Sequence, residues 1–251
     1  MNNLTVIIIS KNDEEVLPEA IASAKGFGEI VVIDASNTDD TQQLCMKLKV
    51  KCVRHTFKDF ADQRNFGMYH AFNEWVLFLD SDERLTDPFK KEVLSVIKQY
   101  NPDSEIAGHF IHRKTFFYGK DWNFSDRVQR LFYRKKFIEW EGVVHETPKV
   151  NGKLGQIEAP VLHFTHRHLS QMVKKTNEWS LYEAKLRITA QHPRLAPWRF
   201  LRVMGSEFIN SYVKNKGYKN GTHGLIEGIY QSFSIFITYA KLWELQQQKK
   251  I

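Results

Sequence analysis

Asp80, Asp82 and Glu83 follow directly on the apolar run WVLFL, residues 75–79. An unbroken apolar run of this length is the pattern of a strand buried on both faces, and it matches no helical stripe. The carboxylates then fall at the strand's C-terminal end, where open α/β sheets take their ligands. Like charges this close repel unless something positive offsets them, and a hard divalent cation such as Mg2+ or Mn2+ suits oxygen donors. Aspartates at strand ends also cap the following turn, which is the structural alternative.

The flanking elements must hold that cluster in position. LTVIIIS (4–10) reads as a strand, residues 15–28 as a helix closed by glycine, and EIVVIDAS (29–36) as a second strand. Residues 38–50 begin with capping residues and continue as a helix, KCVRHTF (51–57) forms a third strand, and ADQRNFGMYHAFNEW (61–75) is a helix leading into the carboxylate strand. Strands alternating with helices predict an α/β fold with a Rossmann-like, mostly parallel sheet covered by helices on both faces. No G-x-G-x-x-G follows the first strand, so the dinucleotide fingerprint is missing. Beyond residue 104 the pattern turns to antiparallel strands, 106–119 and 127–140, and after His163 to long helices. The expected division is a catalytic domain at 1–163 and a basic, helical region at 164–251.

A D-x-D after an apolar strand also occurs in phosphatases of the haloacid dehalogenase type, where the first aspartate lies on the opening strand. Three strands precede it here, and Glu83 stands where a threonine or valine would be expected. Four motifs in order, VIIISKNDEE, EIVVIDASNTDDT, ADQRN and FLDSDE, instead resemble the family 2 glycosyltransferases of GT-A fold. GVVHETP (142–148) and ITYAKLWEL (237–245) are similar to the subgroup of bacterial lipopolysaccharide core β-glycosyltransferases. That resemblance implies an inverting transfer of a hexose, glucose in the first instance, from a UDP-sugar. Asp34 would accept a hydrogen bond from the uracil, with Ser10, Lys11 and Asn12 forming the loop around the nucleotide. Arg64 would lie near the base or diphosphate, where a planar fork suits phosphate. Asp80 would face the ribose or a metal-bound water, or join Asp82 as a ligand, and Asp82 would hold Mn2+ or Mg2+. His145 or His163 could supply a further ligand. An inverting transfer needs a base for the attacking hydroxyl, for which Glu146 is the candidate, with Glu141 and Asp126 as rivals.

Hydrophobic residues make up 42% of the 251, which excludes disorder. Cys45 and Cys52 are the only cysteines, so no disulfide framework organises the chain and a reducing cytosol is the simplest setting. The apolar run of MNNLTVIIISKNDEE is too short for a signal peptide and lacks a basic flank, which makes it a first strand. The net charge of +7 is localised: residues 164–220 hold eleven Lys and Arg against three Glu, and the remainder sums to about −1. Arg167, Lys174 and Lys175 could meet the phosphates of a glycolipid acceptor. The closing helix, residues 225–245, carries a strong apolar face interrupted by charges; it either packs on its own domain or lies in the interface of an anionic membrane at the cytoplasmic side. Two other classes compete. A nucleotidyltransferase acting on sugar phosphates would carry a Gly-rich basic loop after the first strand, and ISKNDEE has no glycine. A basic nucleic-acid-binding protein would leave the carboxylate cluster unexplained.

Overall fold

The opening strand, β1 (Leu4–Ser10), is buried at every position, as a strand covered on both faces must be. Its side chains alternate: Leu4, Val6 and Ile8 enter one apolar cluster, Ile7 and Ile9 the other. These features belong to a computed structural model that describes residues 2–142 and 146–248. The chain divides into two units, residues 2–116 with 123–165, and residues 117–122 with 166–248.

In the first unit β1 is followed by α1 (Leu17–Ala24), β2 (Glu29–Asp34), α2 (Asp40–Leu48), β3 (Lys51–Arg54), α3 (Phe60–Tyr69) and β4 (Trp75–Asp80). Next come β5 (Glu83–Arg84), α4 (Asp87–Gln99), β6 (Ile106–Phe117), β7 (Lys120–Tyr133), β8 (Phe137–Glu141), β9 (Thr147–Val150) and β10 (Lys153–Thr165). Eight strands form one sheet in the order β3-β2-β1-β4-β7-β6-β10-β5, and β8 pairs with β9 in a separate ribbon. The sheet is mixed. β3, β2, β1 and β4 run parallel, whereas β7 meets β4 and β5 meets β10 antiparallel. The chain leaves β1 toward β2 and β3, then returns to add β4 on β1's other side, which creates a topological switch point beside β1. Register sets Ser10 opposite Asp34 and Ile9 opposite Asp80, so these polar residues share one edge.

Helices α1 and α2 pack with the first cluster, and α3 lies over β1 and β2 on the opposite face. Asp59 caps α3 by accepting from Asp62 N at 2.8 Å. Gly67 lets α3 approach closely, since a Cβ there would stand 2.7 Å from Ile7 Cγ2. The helix expected to continue to residue 75 ends at Tyr69. Asn73 and Glu74 instead reach back to the start of the sheet, Asn73 Nδ2 to Thr5 Oγ1 at 3.0 Å and Glu74 N to Asn3 Oδ1 at 3.0 Å.

In the second unit, α5 (Leu169–Thr189) and α6 (Pro197–Phe208) both pack on α7 (Gly221–Gln248), with a π-helical turn at Ile209–Lys214 after α6. The polar groups α7 buries are paired. Glu227 accepts from Gln231 Nε2 at 2.6 Å and lies 3.1 Å from His166 Nδ1, and the Tyr230 hydroxyl donates to Met172 O at 2.7 Å. No helix of the described residues is long and apolar enough to cross a membrane.

One side chain ties the β8–β9 ribbon to α3. Asn65 donates to Trp140 O at 2.9 Å and accepts from Trp140 N at 2.8 Å. Asn65→Ala leaves both backbone groups without these partners, and a loss of about 1–3 kcal/mol is expected. It is measured as a lower urea midpoint at unchanged slope.

Candidate active site

Asp80 ends β4, and each of its oxygens is held by a guanidinium. Arg64 Nη2 of α3 donates to Oδ1 at 2.8 Å and Arg130 Nη2 of β7 to Oδ2 at 3.0 Å. Arg64 Nε also donates to Glu146 Oε1 at 3.0 Å, so α3, β4 and the segment before β9 meet at one cation. Both guanidiniums lie over the Trp140 ring, at 5.2 and 5.9 Å from its centroid, where cation–π attraction replaces lost hydration. Burial alone would raise the Asp80 carboxyl. Arg130 and Arg64 outweigh it and hold the group far below the usual carboxylate range.

Glu83 behaves oppositely. Its side chain is fully buried in β5, where Oε2 accepts from Asp80 N at 3.0 Å and Oε1 from Arg113 Nη1 at 3.3 Å. Burial and the charge of Asp80 push its carboxyl up. Glu83 is therefore a structural brace of the D-x-D turn. Arg113 forks onto Asp126 at 2.9 and 2.5 Å. That leaves Asp126 committed as a partner, and Glu141 is exposed beside Lys149 at 3.3 Å. Of the three base candidates, Glu146 is the one joined to the Arg64–Asp80 group.

Asp82 faces His163. The two-residue pairing of β5 with β10 sets His163 opposite Glu83, and Phe164 N donates to Asp82 O at 2.9 Å, which brings Asp82 Oδ2 within 3.5 Å of His163 Nε2. One carboxylate and one imidazole are donors that Mn2+ accepts, and such cations complete their shells with phosphate oxygens and water. The donor set fits a divalent cation. Among the described residues no group of three or more His, Cys, Asp or Glu is assembled for a metal. His145, the other imidazole expected near the cation, lies outside the described residues. Of the remaining histidines of HFTHRH, His166 is engaged by Glu227.

The nucleotide residues gather at the ends of β1 and β2. Asp34 is fully buried. Its Oδ1 accepts from Ser36 N at 2.9 Å, its Oδ2 has no hydrogen-bond partner among the described residues, and Arg54 Nε stands 3.7 Å from it. Ser10 Oγ, opposite in register, is likewise buried without a hydrogen-bond partner among the described residues, as is Arg64 Nη1. Asn12 adopts a left-handed φ of 56° and its N donates to Ser36 Oγ at 2.9 Å, linking the two loops. Lys11 Nζ lies 4.4 Å from the Phe57 ring centroid. Ser81 Oγ donates to Asp13 Oδ2 at 2.7 Å, joining the β1 loop to the D-x-D turn. Arg130, Arg113 and Trp140 complete the site without having been singled out in the sequence. The only signal was their position in the antiparallel strands after residue 104.

An open sheet with a switch point beside β1, a D-x-D turn at the end of β4 and an antiparallel half beyond it defines a GT-A fold. A model of the family described as glycosyl transferase family 2 matches residues 5–152. The chain belongs to that family, and the protein is a glycosyltransferase. An uncharacterized glycosyltransferase of Rickettsia typhi is 25% identical over 100% of this chain and 90% of its own length. The lipopolysaccharide core biosynthesis glycosyltransferase LpsC of Rhizobium meliloti is 25% identical over 96% of this chain and 92% of its own. Among solved structures, S. aureus TarS aligns with a TM-score of 0.44 at 12% identity, over 87% of this chain and 45% of that one.

The His163–Asp82 pair predicts a titration. Burial lowers the imidazole, but the hydrogen bond and charge of Asp82 outweigh it, so the pKa lies above 6.5. In metal-free protein the pair's stabilisation is fully present below pH 6.5 and is lost as pH rises through the elevated value. Asp82→Asn should bring the His163 titration down, below the ordinary histidine value, as followed by ring-proton NMR. An unmoved titration would contradict the pairing.

Proposed function

We propose that the protein transfers a hexose, glucose in the first instance, from a UDP-sugar to a lipopolysaccharide core or related surface glycan, with inversion at the anomeric carbon. The observation that carries this reading is the pair of buried oxygens, Ser10 Oγ and Asp34 Oδ2, that have no hydrogen-bond partner among the described residues and lie at the same end of the sheet as the D-x-D turn. A buried polar atom without a partner costs about 1–3 kcal/mol, so a ligand bringing a donor there is favoured. In this reading Asp34 Oδ2 accepts from the uracil N3–H, with Ser10, Lys11 and Asn12 framing the base. Arg64 Nη1 is a spare donor for diphosphate oxygen, while Asp80 keeps Arg64 and Arg130 in position and faces the ribose side.

Asp82 and His163 would hold Mn2+ or Mg2+, which when bound neutralises charge on the leaving diphosphate. Glu146 receives the proton of the attacking acceptor hydroxyl on Oε2 while Oε1 stays on Arg64. The new bond from acceptor oxygen to anomeric carbon forms as the bond from that carbon to the β-phosphate oxygen breaks, and UDP departs. The acceptor class is supported by the name of the Rhizobium meliloti relative. A glycolipid acceptor calls for work at the cytoplasmic face, peripheral to an anionic membrane, with Arg167, Lys174 and Lys175 as the residues that would meet acceptor phosphates. The nucleotidyltransferase and nucleic-acid readings are disfavoured by the family assignment.

Isothermal titration with UDP should give binding in Mn2+ that EDTA or Asp82→Ala abolishes, and Asp34→Ala should weaken it by about tenfold or more. UDP binding absent under every condition would sink the donor assignment. In assays with UDP-glucose and a truncated lipopolysaccharide core, Glu146→Gln should cut kcat by about 10²–10⁴ with UDP affinity intact. Full turnover in that variant would pass the role of base to another residue.

A further inference from the structure

Helix α6 uses one face on α7. The Phe200 ring lies 5.9 Å from that of Phe236, Met204 O accepts from Ser232 Oγ at 3.0 Å, and a Cβ on Gly228 would come within 3.1 Å of Phe208. Steps of four down α6 meet steps of four up α7, so the pair is antiparallel and the facing side of α6 is defined. Its outer side is also apolar. Trp198, Leu201 and Ile209 are 55%, 76% and 51% exposed, and Val213 in the following turn is 53% exposed. At 3.6 residues per turn these positions form one stripe, and the wider π-helical turn at Ile209–Lys214 keeps Val213 below Ile209, where α winding would carry it about 40° further round.

The charges around the stripe have one sign. Arg199 and Arg202 lie along its edge with their guanidiniums 5.6 and 5.7 Å from the Trp198 ring centroid, and exposed Lys214, Lys216 and Lys219 follow. Glu207, the one carboxylate between residues 197 and 219, falls on roughly the opposite side of the helix, about 180° from Trp198. We infer that this stripe is the face on which the protein lies against an anionic lipid surface, with Trp198 and Leu201 entering the headgroup boundary and the arginines and lysines meeting lipid phosphates. An indole flanked by cations above an apolar stripe suits that boundary. A second copy of the chain suits it less well, because a two-fold interface would set these basic residues against themselves. The inference rests on the peripheral-membrane part of the proposed function. It also moves the contact from α7, the helix the sequence suggested, to α6.

The test uses the full chain in sedimentation with vesicles of equal parts phosphatidylglycerol and phosphatidylcholine, against phosphatidylcholine alone. Wild type should bind the anionic vesicles and release from them at about 1 M salt. Trp198→Ser with Leu201→Ser should weaken binding by about tenfold or more, Arg199→Gln with Arg202→Gln should weaken it and flatten the salt dependence, and Ile229→Ser on α7 should bind as wild type. Unchanged helical circular dichroism and UDP affinity in each variant would show that folding and the donor site are untouched. The inference is overturned if wild type ignores anionic vesicles, if the Trp198/Leu201 variant binds as wild type, or if that variant instead abolishes a dimer seen by sedimentation equilibrium. A wild type that binds vesicles but no UDP would end the donor reading and leave the lipid face standing.

Discussion

The Asp80 carboxylate, half-buried at the end of a buried strand, holds two buried guanidiniums in place, Arg64 and Arg130 taking one oxygen each. Removing Asp80 would leave two buried guanidiniums, 3% and 8% exposed, without this partner, at a cost of about 3–5 kcal/mol, mostly through charge left uncompensated. The surrounding architecture follows from meeting that demand. Arg64 must come from α3 and Arg130 from β7, and both need Trp140 beneath them. Trp140 is in turn fastened to α3 by the residue next to Arg64. Helix, sheet and ribbon converge on one carboxylate.

The same environment separates two carboxyls three residues apart. Asp80 is drawn down by its arginines, whereas Glu83, buried deeper and facing the Asp80 charge, is driven up. Divergent environments of this kind assign different tasks to similar side chains. The stabilisation from Asp80 is present above the ordinary aspartate value of 3.8 and is lost as pH falls toward its depressed one.

The parallel half of the sheet was legible because buried strands announce themselves as apolar runs, and LTVIIIS, EIVVID and WVLFLD are such runs. Ser10, Asp34, Arg64 and Asp80 could be named because their motifs lie on or beside those strands. Arg130 and Arg113 could not. They sit in antiparallel strands, where period-two alternation gives the facing side but no information on which strand is the neighbour. Helix α3 was overextended because the pull on Asn73 and Glu74 comes from residues about 70 positions away. His163 was one imidazole among several in HFTHRH, and only the rung between β5 and β10 distinguishes it from His166.

That rung has a consequence for how the chain can diverge. Asp82 and His163 are separated by most of the first unit's second half, yet two residue pairs determine their spacing. Side chains alternate along a strand, so a slip of one position would turn the imidazole to the other face of the sheet. Insertions in the exposed turn at 151–152 leave the rung in register and should be accepted over evolutionary time. A single-residue deletion at 161 or 162 would shift the pairing and separate the two donors, although neither would itself have been altered.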